Sequence, residues 1–346
     1  MNRASTIALL PLGVVYGVGV RIRNGLYRRG IRKSYDVGVP VISVGNLTTG
    51  GTGKTPLVEL LASHMSAEGW RVCVLTRGYH RKSTGRVVVS DNEVVLSDVN
   101  DAGDEPFMLA EKLRGRAAVI CDKNRVAAAQ WAIGNLGSQI FILDDAFQHQ
   151  QIKRTLNILT IDATNPFGNG QLLPAGRLRE PLRELKRASC VVITRANESE
   201  ALPQLRAQIE DIAGAIPIFT SHIKLTAVGP LERETSATDL ADRKAAVAAF
   251  CGLGNPKSFF NLLRREGYNV TYSREFRDHQ SYRQSDIDQL VREASARDAQ
   301  ALVTTVKDAV KLRSLAFALP CYVVDASIQI DAAEAFFRFI NPSIQR

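Results

Sequence analysis

Residues 41–56, reading VISVGNLTTGGTGKTP, constrain the fold of this chain more than any other segment. A β-branched apolar run passes into a glycine-rich turn and then into a helical pattern, which is the context a phosphate-binding loop requires. Gly50, Gly51 and Gly53 leave space for backbone N–H groups to close around a phosphate, where side chains would block the approach. The nucleotide-contacting stretch is therefore read as Thr48, Thr49, Gly50, Gly51, Thr52, Gly53, Lys54 and Thr55. Lys54 would reach the outer phosphates, and the Thr55 hydroxyl would reach Mg²⁺. The strict spacing asks for glycine at position 48, where this chain has threonine, so the loop is a variant. A plain glycine-rich turn with an exposed lysine is the competing account, and it leaves the strand before and the helix after unexplained.

Alternation of strand and helix patterns continues along the chain. Apolar runs at 39–44, 71–76, 118–121, 139–143, 156–161, 190–194 and 216–221 read as strands, with helical patterns after the loop and from Glu105, Asn124 and Glu198. That order predicts an α/β fold, a P-loop NTPase-like α/β/α sandwich on a parallel sheet. Near 221–234 the pattern breaks into a charged, irregular stretch. A second series follows, with strands at 246–251, 269–273, 301–305 and 321–324 and helices from Pro256, Ser285, Lys307 and Asp331. It predicts a second, smaller α/β/α domain without a phosphate loop. The expected boundaries are an N-terminal segment at 1–36, a P-loop domain at 37–221, a linker at 222–234 and a C-terminal α/β domain at 235–346. A length of 346 residues suits two domains. Five cysteines, scattered in apolar runs without paired spacing, read as buried thiols in a reducing compartment and exclude a zinc or disulfide framework.

Charge placement says more than its total of +9. Arg3, Arg21, Arg23, Arg28, Arg29, Arg32 and Lys33, with no acid among residues 1–33, supply seven of those charges. Ahead of most of them, residues 7–20 are apolar but interrupted by Pro11 and three glycines, which is short for a comfortable membrane span. A segment lying in a membrane surface, with arginines at anionic head groups, explains both halves. A helix packed on its own domain is an alternative, and nucleic-acid binding leaves the apolar run unexplained, so no nucleic-acid partner is expected.

Several short motifs carry candidate chemistry. Asp144 and Asp145 end an apolar strand, and acids at such an end hold Mg²⁺ in P-loop enzymes, although an Asp pair there is also a common turn or cap. Asp104 and Glu105 open a helical pattern and suit either a helix cap or a general base toward an acceptor hydroxyl. Arg177 and Arg179 lie in a long loop and suit charge stabilisation on a transferring phosphoryl group. Arg77 and Tyr79 follow the second strand, where α/β proteins gather ligands. Asp278 and His279 are proton-handling groups in the second half, and His279 could tune a carboxylate.

Together these segments resemble the tetraacyldisaccharide 4′-kinase family of lipid A biosynthesis. The resemblance runs from about residue 39 to 312 and rests on the variant loop with Thr55-Pro56, Thr76-Arg-Gly-Tyr79, Gly103-Asp-Glu-Pro106, Leu143-Asp-Asp-Ala-Phe-Gln-His149, Leu173-Pro-Ala-Gly176 with Leu178-Arg-Glu-Pro181, Gly252-Leu-Gly-Asn-Pro256, Asp278-His279 and Thr304-Thr-Val-Lys-Asp-Ala-Val-Lys311. It implies transfer of phosphate from ATP, with Mg²⁺, to the 4′-hydroxyl of a lipid A disaccharide precursor at the cytoplasmic face of the bacterial inner membrane. It implies two α/β/α domains with the active site in the cleft between them. By the same resemblance Asp104 is the catalytic acid–base supported by Asp278 and His279, Lys54 and Thr55 fall on the phosphate loop, Asp144 and Asp145 serve the metal, and Tyr79 and Arg179 lie at the active site. On the reading of the residues, Lys54 and Arg179 would stabilise charge, Thr55 would join the metal's ligands, and Arg77, Tyr79, Glu105 and Asp278 would serve the substrate. The chain departs from the usual family pattern at His80, Ala146, Arg177 and Val306. The rival reading is a membrane-associated regulatory P-loop NTPase acting on a protein partner.

Overall fold

The computed structural model describes residues 3–79, 81–231, 243–278 and 280–344, with the side chains of 3–6 left aside. Two compact units divide the chain, one comprising 1–102, 109–222 and 328–346 and the other 103–108 and 223–327.

The first unit opens with helix α1 (Arg3–Arg28) and the central strand β1 (Val41–Gly45), followed by α2 (Lys54–Ala67), β2 (Val72–Thr76), β3 (Val87–Ser90) and the short α3 (Val99–Ala102). Helix α4 (Asp104–Lys112) has its first turn in the second unit and the remainder in the first. Strand β4 (Ala117–Cys121), α5 (Arg125–Leu136), β5 (Ile140–Leu143), β6 (Leu156–Asp162), β7 (Cys190–Thr194), α6 (Leu202–Ala213) and β8 (Ile218–Pro230) follow. The sheet order is β8-β7-β6-β1-β5-β2-β4-β3. All pairings inside β8 to β4 are parallel, with Ile42 opposite Ile142 on β5 and Leu156 on β6. Strand β3 runs antiparallel on β4, so the sheet is mixed and not wholly parallel as its sequence order suggests. Strands β1, β2, β4, β5 and β7 are buried at every residue, as expected for a sheet covered on both faces. Ala128, Ala129 and Ala132 of α5 pack on one face over Cys73, Phe141 and Leu143, and Leu205 and Ile209 of α6 pack over Leu159 and Val191.

The second unit contains β9 (Ala246–Cys251), α7 (Pro256–Arg265), β10 (Asn269–Glu275), α8 (Gln284–Ser295), β11 (Ala301–Thr305), the one-turn α9 (Val306–Ala309) and β12 (Cys321–Ile330). Its strands run parallel in the order β10-β9-β11-β12. Along β9, Val247, Ala249 and Cys251 face α7, whereas Ala248 and Phe250 face α8, so one strand's two-residue period fills both layers.

These boundaries differ from the sequence-based ones. The segment 222–230 is extended strand, part of β8, where an irregular linker was expected. The alternation there is too polar to announce a strand. Strand β12 likewise continues to Ile330, and the last helix, α10 (Ala333–Ile344), belongs to the first unit although the sequence places it in a C-terminal domain. Its aromatics explain the return: Phe336 meets Phe219 edge-on, and Phe337 stacks on His64 of α2 at 3.7 Å. Helix α1 also exceeds its sequence reading, because it continues through the arginines. By length and composition alone, Ile7–Arg28 suffices to cross a membrane.

Candidate active site

Adjacency of β1 and β5 brings the glycine loop and the aspartate pair to the same carboxyl end of the first unit's sheet, where open α/β sheets bind ligands. Gly50 (φ 113°) and Gly53 (φ 78°) occupy the left-handed region that side chains avoid. A Cβ on Gly50 would stand 2.1 Å from the Arg177 guanidinium. Gly53 is the N-cap of α2 and makes no side-chain cap bond, so the loop delivers the helix's first turn uncapped by protein side chains. Such a terminus favours an anion.

The loop is braced from both sides. Thr49 donates its N–H to Arg177 O at 2.8 Å, and its own carbonyl accepts from Arg177 Nε and Nη2 at 3.1 and 2.7 Å. The hydroxyls of Thr52 and Thr160 lie 2.8 Å apart, and Thr194 Oγ1 donates to Thr52 O at 3.0 Å. Arg195 Nη1 donates to Gly51 O at 3.0 Å and to Asp162 at 2.5 Å. Thr48, in the place of the missing glycine, is buried and pairs with Leu178 as an isolated bridge. Its backbone needs no positive φ, which is why threonine is tolerated there. None of Thr160, Thr194 and Arg195 is legible from the loop motif, because each comes from a neighbouring strand end.

Lys54 and Arg179 converge on Asp145. Lys54 Nζ lies 3.6 Å from Asp145 Oδ1, and Arg179 Nη1 donates to both carboxylate oxygens at 2.9 and 2.8 Å. Burial works to raise the Asp145 pKa, but Lys54, Arg179 and Arg125 outweigh it and hold the carboxyl below its ordinary range. Asp145 sits at φ 46°, a strained setting that aims its side chain at the two cations. Asp144 is buried, its N–H bonded to Leu75 O at 3.0 Å. Ala146, where the family usually has glycine, is buried and bonded to Val44 O, with no positive φ to exclude a β-carbon. Thr55 is the second residue of α2. Arg77 and Tyr79 are both exposed, Tyr79 by 66%, on the loop after β2.

Three further residues at this end were given no role by the sequence reading. Arg125 is buried at the start of α5 and donates to Asp144 O at 3.2 Å. Next to it stands His149, whose buried Nε2 has no hydrogen-bond partner among the described residues. Burial, then Arg125, Arg154 and Arg77, depress its pKa to about 3, so the ring is neutral. Asn46, buried directly after β1, has neither amide atom bonded among the described residues, which suits a polar occupant of this end of the sheet.

The second unit holds its own charged cluster. Asp104 Oδ2 pairs with Lys311 Nζ at 2.9 Å, while Lys307 Nζ reaches Glu105 at 3.2 Å and Asp278 at 3.0 Å. Burial works to lower the Lys307 pKa, but Glu105 and Asp278 raise it above the usual lysine value. Beneath the cluster, buried Asp308 accepts from Gly252 N at 3.1 Å, Tyr282 Oη at 2.8 Å and Thr305 Oγ1 at 2.7 Å, fixing the turn into α9. Structure thus brings Asp104, Glu105 and Asp278 together through two lysines that the sequence reading left without a role. His279 and His80 lie outside the described residues.

Among the described residues no cluster of three or more His, Cys, Asp or Glu forms a metal cage. The oxygen donors at the loop, Thr55, Asp144 and Asp145, are of the type a hard cation such as Mg²⁺ takes when phosphate and water complete its shell.

Comparison with known proteins identifies the family. A profile of the family described as Tetraacyldisaccharide-1-P 4′-kinase matches residues 5–345. The tetraacyldisaccharide 4′-kinase of Desulfotalea psychrophila is 38% identical over 315 residues, covering 90% of this chain and 89% of the relative. That of Geobacter metallireducens is 42% identical over 316 residues, covering 90% of each. The crystal structure of LpxK from Aquifex aeolicus in complex with ATP superposes with a TM-score of 0.75 at 31% identity, covering 98% of this chain and 99% of that one. With a match across nearly its whole length and a loop, strand-end acids and second unit that suit the same chemistry, the chain belongs to the tetraacyldisaccharide 4′-kinase family.

Proposed function

We propose that this kinase transfers the γ-phosphate of ATP to the 4′-hydroxyl of a tetraacyl disaccharide 1-phosphate, the lipid A precursor, with the nucleotide held by residues 48–55. The observation that carries the reading is the meeting of Lys54 and Arg179 at Asp145, beside a glycine loop whose Gly50 and Gly53 only glycine fits without strain. Phosphoryl transfer asks little covalent chemistry of the protein; it needs positioned positive charge where negative charge spreads in the transition state. Lys54 supplies it from the start of α2, and Arg179 supplies it through its planar fork beside Asp145. Mg²⁺, when bound, neutralises the phosphate oxygens, with Thr55, Asp144 and Asp145 as the residues that would hold it.

In the second unit Asp104 is the base that accepts the hydroxyl proton. Its pairing with Lys311 orients it, and Glu105 and Asp278, joined through Lys307, hold the neighbouring turn. The exposed apolar side chains of α1, with Arg21, Arg28, Arg29 and Arg32 along and after it, support seating at the cytoplasmic face of the inner membrane, where an amphiphilic acceptor resides. The regulatory NTPase reading finds no favour among the relatives, which are named as kinases.

Transfer of ³²P from γ-labelled ATP to the tetraacyl disaccharide 1-phosphate in detergent micelles tests the reading. Label is expected in the lipid and lost in Lys54→Ala. Phosphate released to water at the same rate with and without lipid would refute it.

A further inference from the structure

We infer that helix α1 is a positioning element for Arg179, so that its docking on the first unit sets the phosphoryl-transfer site as well as the protein's location. The inference rests on the proposed role of Arg179 at the transferring phosphate.

Helix α1 has two unlike faces. Ile7, Leu12, Val14, Val15, Val18 and Ile22 are exposed, whereas Gly13, Gly17, Val20 and Asn24, spaced as one helical stripe, are buried. The inner face lies on the loop that carries Arg179. A Cβ on Gly13 would come within 3.3 Å of Ala175 Cβ, and one on Gly17 within 2.6 Å of Leu172 Cδ1, so the helix backbone itself rests on that loop.

Polar bonds then fix the register. Tyr16 Oη donates to the backbone carbonyl of Arg179 at 2.9 Å, while the Arg179 N–H donates to Leu47 O at 2.7 Å. The backbone of Arg179 is therefore held from α1 on one side and from the root of the glycine loop on the other. Arg23 and Asn24 both bond one oxygen of Glu180, the next residue, whose side chain is fully buried. The other Glu180 oxygen takes Arg187. Arg187 in turn stacks 4.4 Å over the Phe147 ring and donates to Phe147 O at 3.4 Å, two residues beyond Asp145. Arg154 completes the frame with bonds to the Ala146 and Phe147 carbonyls at 2.8 and 3.2 Å. Both members of the Arg179–Asp145 pair thus stand on segments tied to Glu180, and Glu180 is tied to α1.

A tether to a membrane needs none of this. Burying a carboxylate is costly unless it is fully paired, so apolar contact alone would attach the helix more cheaply. A buried ionic network that reaches the residue beside a catalytic candidate is better suited to setting geometry, and a misplacement of about 1 Å at such a residue can cost on the order of 100-fold in rate.

The test uses the full chain with saturating tetraacyl disaccharide 1-phosphate in detergent micelles, where membrane location does not limit the rate. Arg23→Met is expected to lower kcat about tenfold with the acceptor KM nearly unchanged, and Arg23→Lys to recover most of the loss. Tyr16→Phe, which removes a single neutral hydrogen bond at an exposed residue, is expected to lower kcat roughly two- to tenfold. Hydrogen exchange at residues 172–181 should quicken in step with the loss. Unchanged kcat with a raised acceptor KM in both variants would overturn the inference and leave α1 as a tether. Should Arg23→Met fail to fold, Tyr16→Phe alone decides by the same criterion. Arg179→Met runs alongside: full kcat in that variant would refute the role of Arg179 itself, and the coupling with it, while its loss beside intact Arg23→Met and Tyr16→Phe would refute the coupling only.

Discussion

Gly53→Ala puts a number on the strain stored in the nucleotide loop. Gly53 has φ 78° and ψ 20°, left-handed helical geometry that costs an L-residue roughly 1–2 kcal/mol. The new Cβ would also stand 3.1 Å from Thr194 Cγ2, tight enough to push that side chain. Thr194 Oγ1 holds the Thr52 carbonyl at 3.0 Å, and loss of that bond adds about 1 kcal/mol. Because Thr49, Gly51 and Thr52 are each bonded to flanking segments, the loop cannot relax by moving as a whole. A total of about 2–3 kcal/mol should lower Tm by roughly 4–12 °C in a unit of this size, and a displaced loop should weaken ATP about tenfold for each 1.4 kcal/mol that the bound geometry must restore. Differential scanning fluorimetry with and without ATP, together with fluorescent-nucleotide titration, measures both. Gly134→Ala is the internal control: Gly134 is exposed inside α5, has no positive φ and nothing within 4 Å of its added Cβ. That change should stabilise by about 0.5–1 kcal/mol and leave ATP binding alone. A Gly53→Ala protein with the parent's Tm and the parent's ATP affinity would refute the argument that residue 53 is held left-handed by the loop.

Other changes read different parts of the molecule. His149 is neutral in the folded state because its pKa is depressed to about 3, while the unfolded chain protonates near 6.5. The unfolded state then binds more protons as pH falls, so stability should drop by about 2 kcal/mol between pH 6.5 and 5, and His149→Gln should remove that part of the slope in denaturant titrations. Identical slopes in the two proteins would show that His149 is not held neutral. Asp308→Ala strips the acceptor from Gly252 N–H, Tyr282 and Thr305 in a fully buried place, and should cost roughly 3–5 kcal/mol, read as early unfolding of the second unit by hydrogen exchange while the first unit keeps its protection. Lys311→Met should lower kcat with the acceptor while fluorescent-nucleotide affinity stays at the parent value, since its carboxylate partner is Asp104. Equal losses in both would contradict the division of roles.

Much of this was legible in the sequence because the chemistry is local. The glycine loop, the strand before it, the helix after it and the acids at the end of β5 lie within continuous segments whose residue types report their own geometry. What the sequence hides is set by partners far along the chain. Glu180 reads as one more surface acid between Arg179 and Pro181; it is buried with its charge met by Arg187 and by Arg23, 157 residues earlier, and Asn24. Arg125 looks like an exposed helix-start residue, yet it reaches the carbonyl of Asp144. Strand β3 is short, lies on an edge and follows an irregular stretch, so no periodicity announces it. Helix α10 has a clear pattern, but that pattern does not say which unit its aromatics will find.

Two unusual positions make sense once they are taken as a pair. Thr48 stands where the strict phosphate-loop spacing asks for glycine, and Arg177 stands where the family commonly has proline. With threonine at 48, the loop's entry is extended backbone bridged to Leu178, which fixes the strand of residues bearing Arg177 directly alongside it. Arg177 then uses that proximity: its guanidinium holds the Thr49 carbonyl and covers Gly50, filling the space a Cβ there would take. A proline at 177 could supply neither bond, and a glycine at 48 would loosen the bridge that places the arginine. The same strand of residues carries Arg179 toward Asp145 two positions later and Glu180 toward α1 next to it. One segment, 172–181, therefore sets the nucleotide loop, the charge facing the transferring phosphate and the seat of the N-terminal helix. Its effects on affinity, rate and location should be separable only by substitutions as specific as those at Arg177, Arg179 and Arg23.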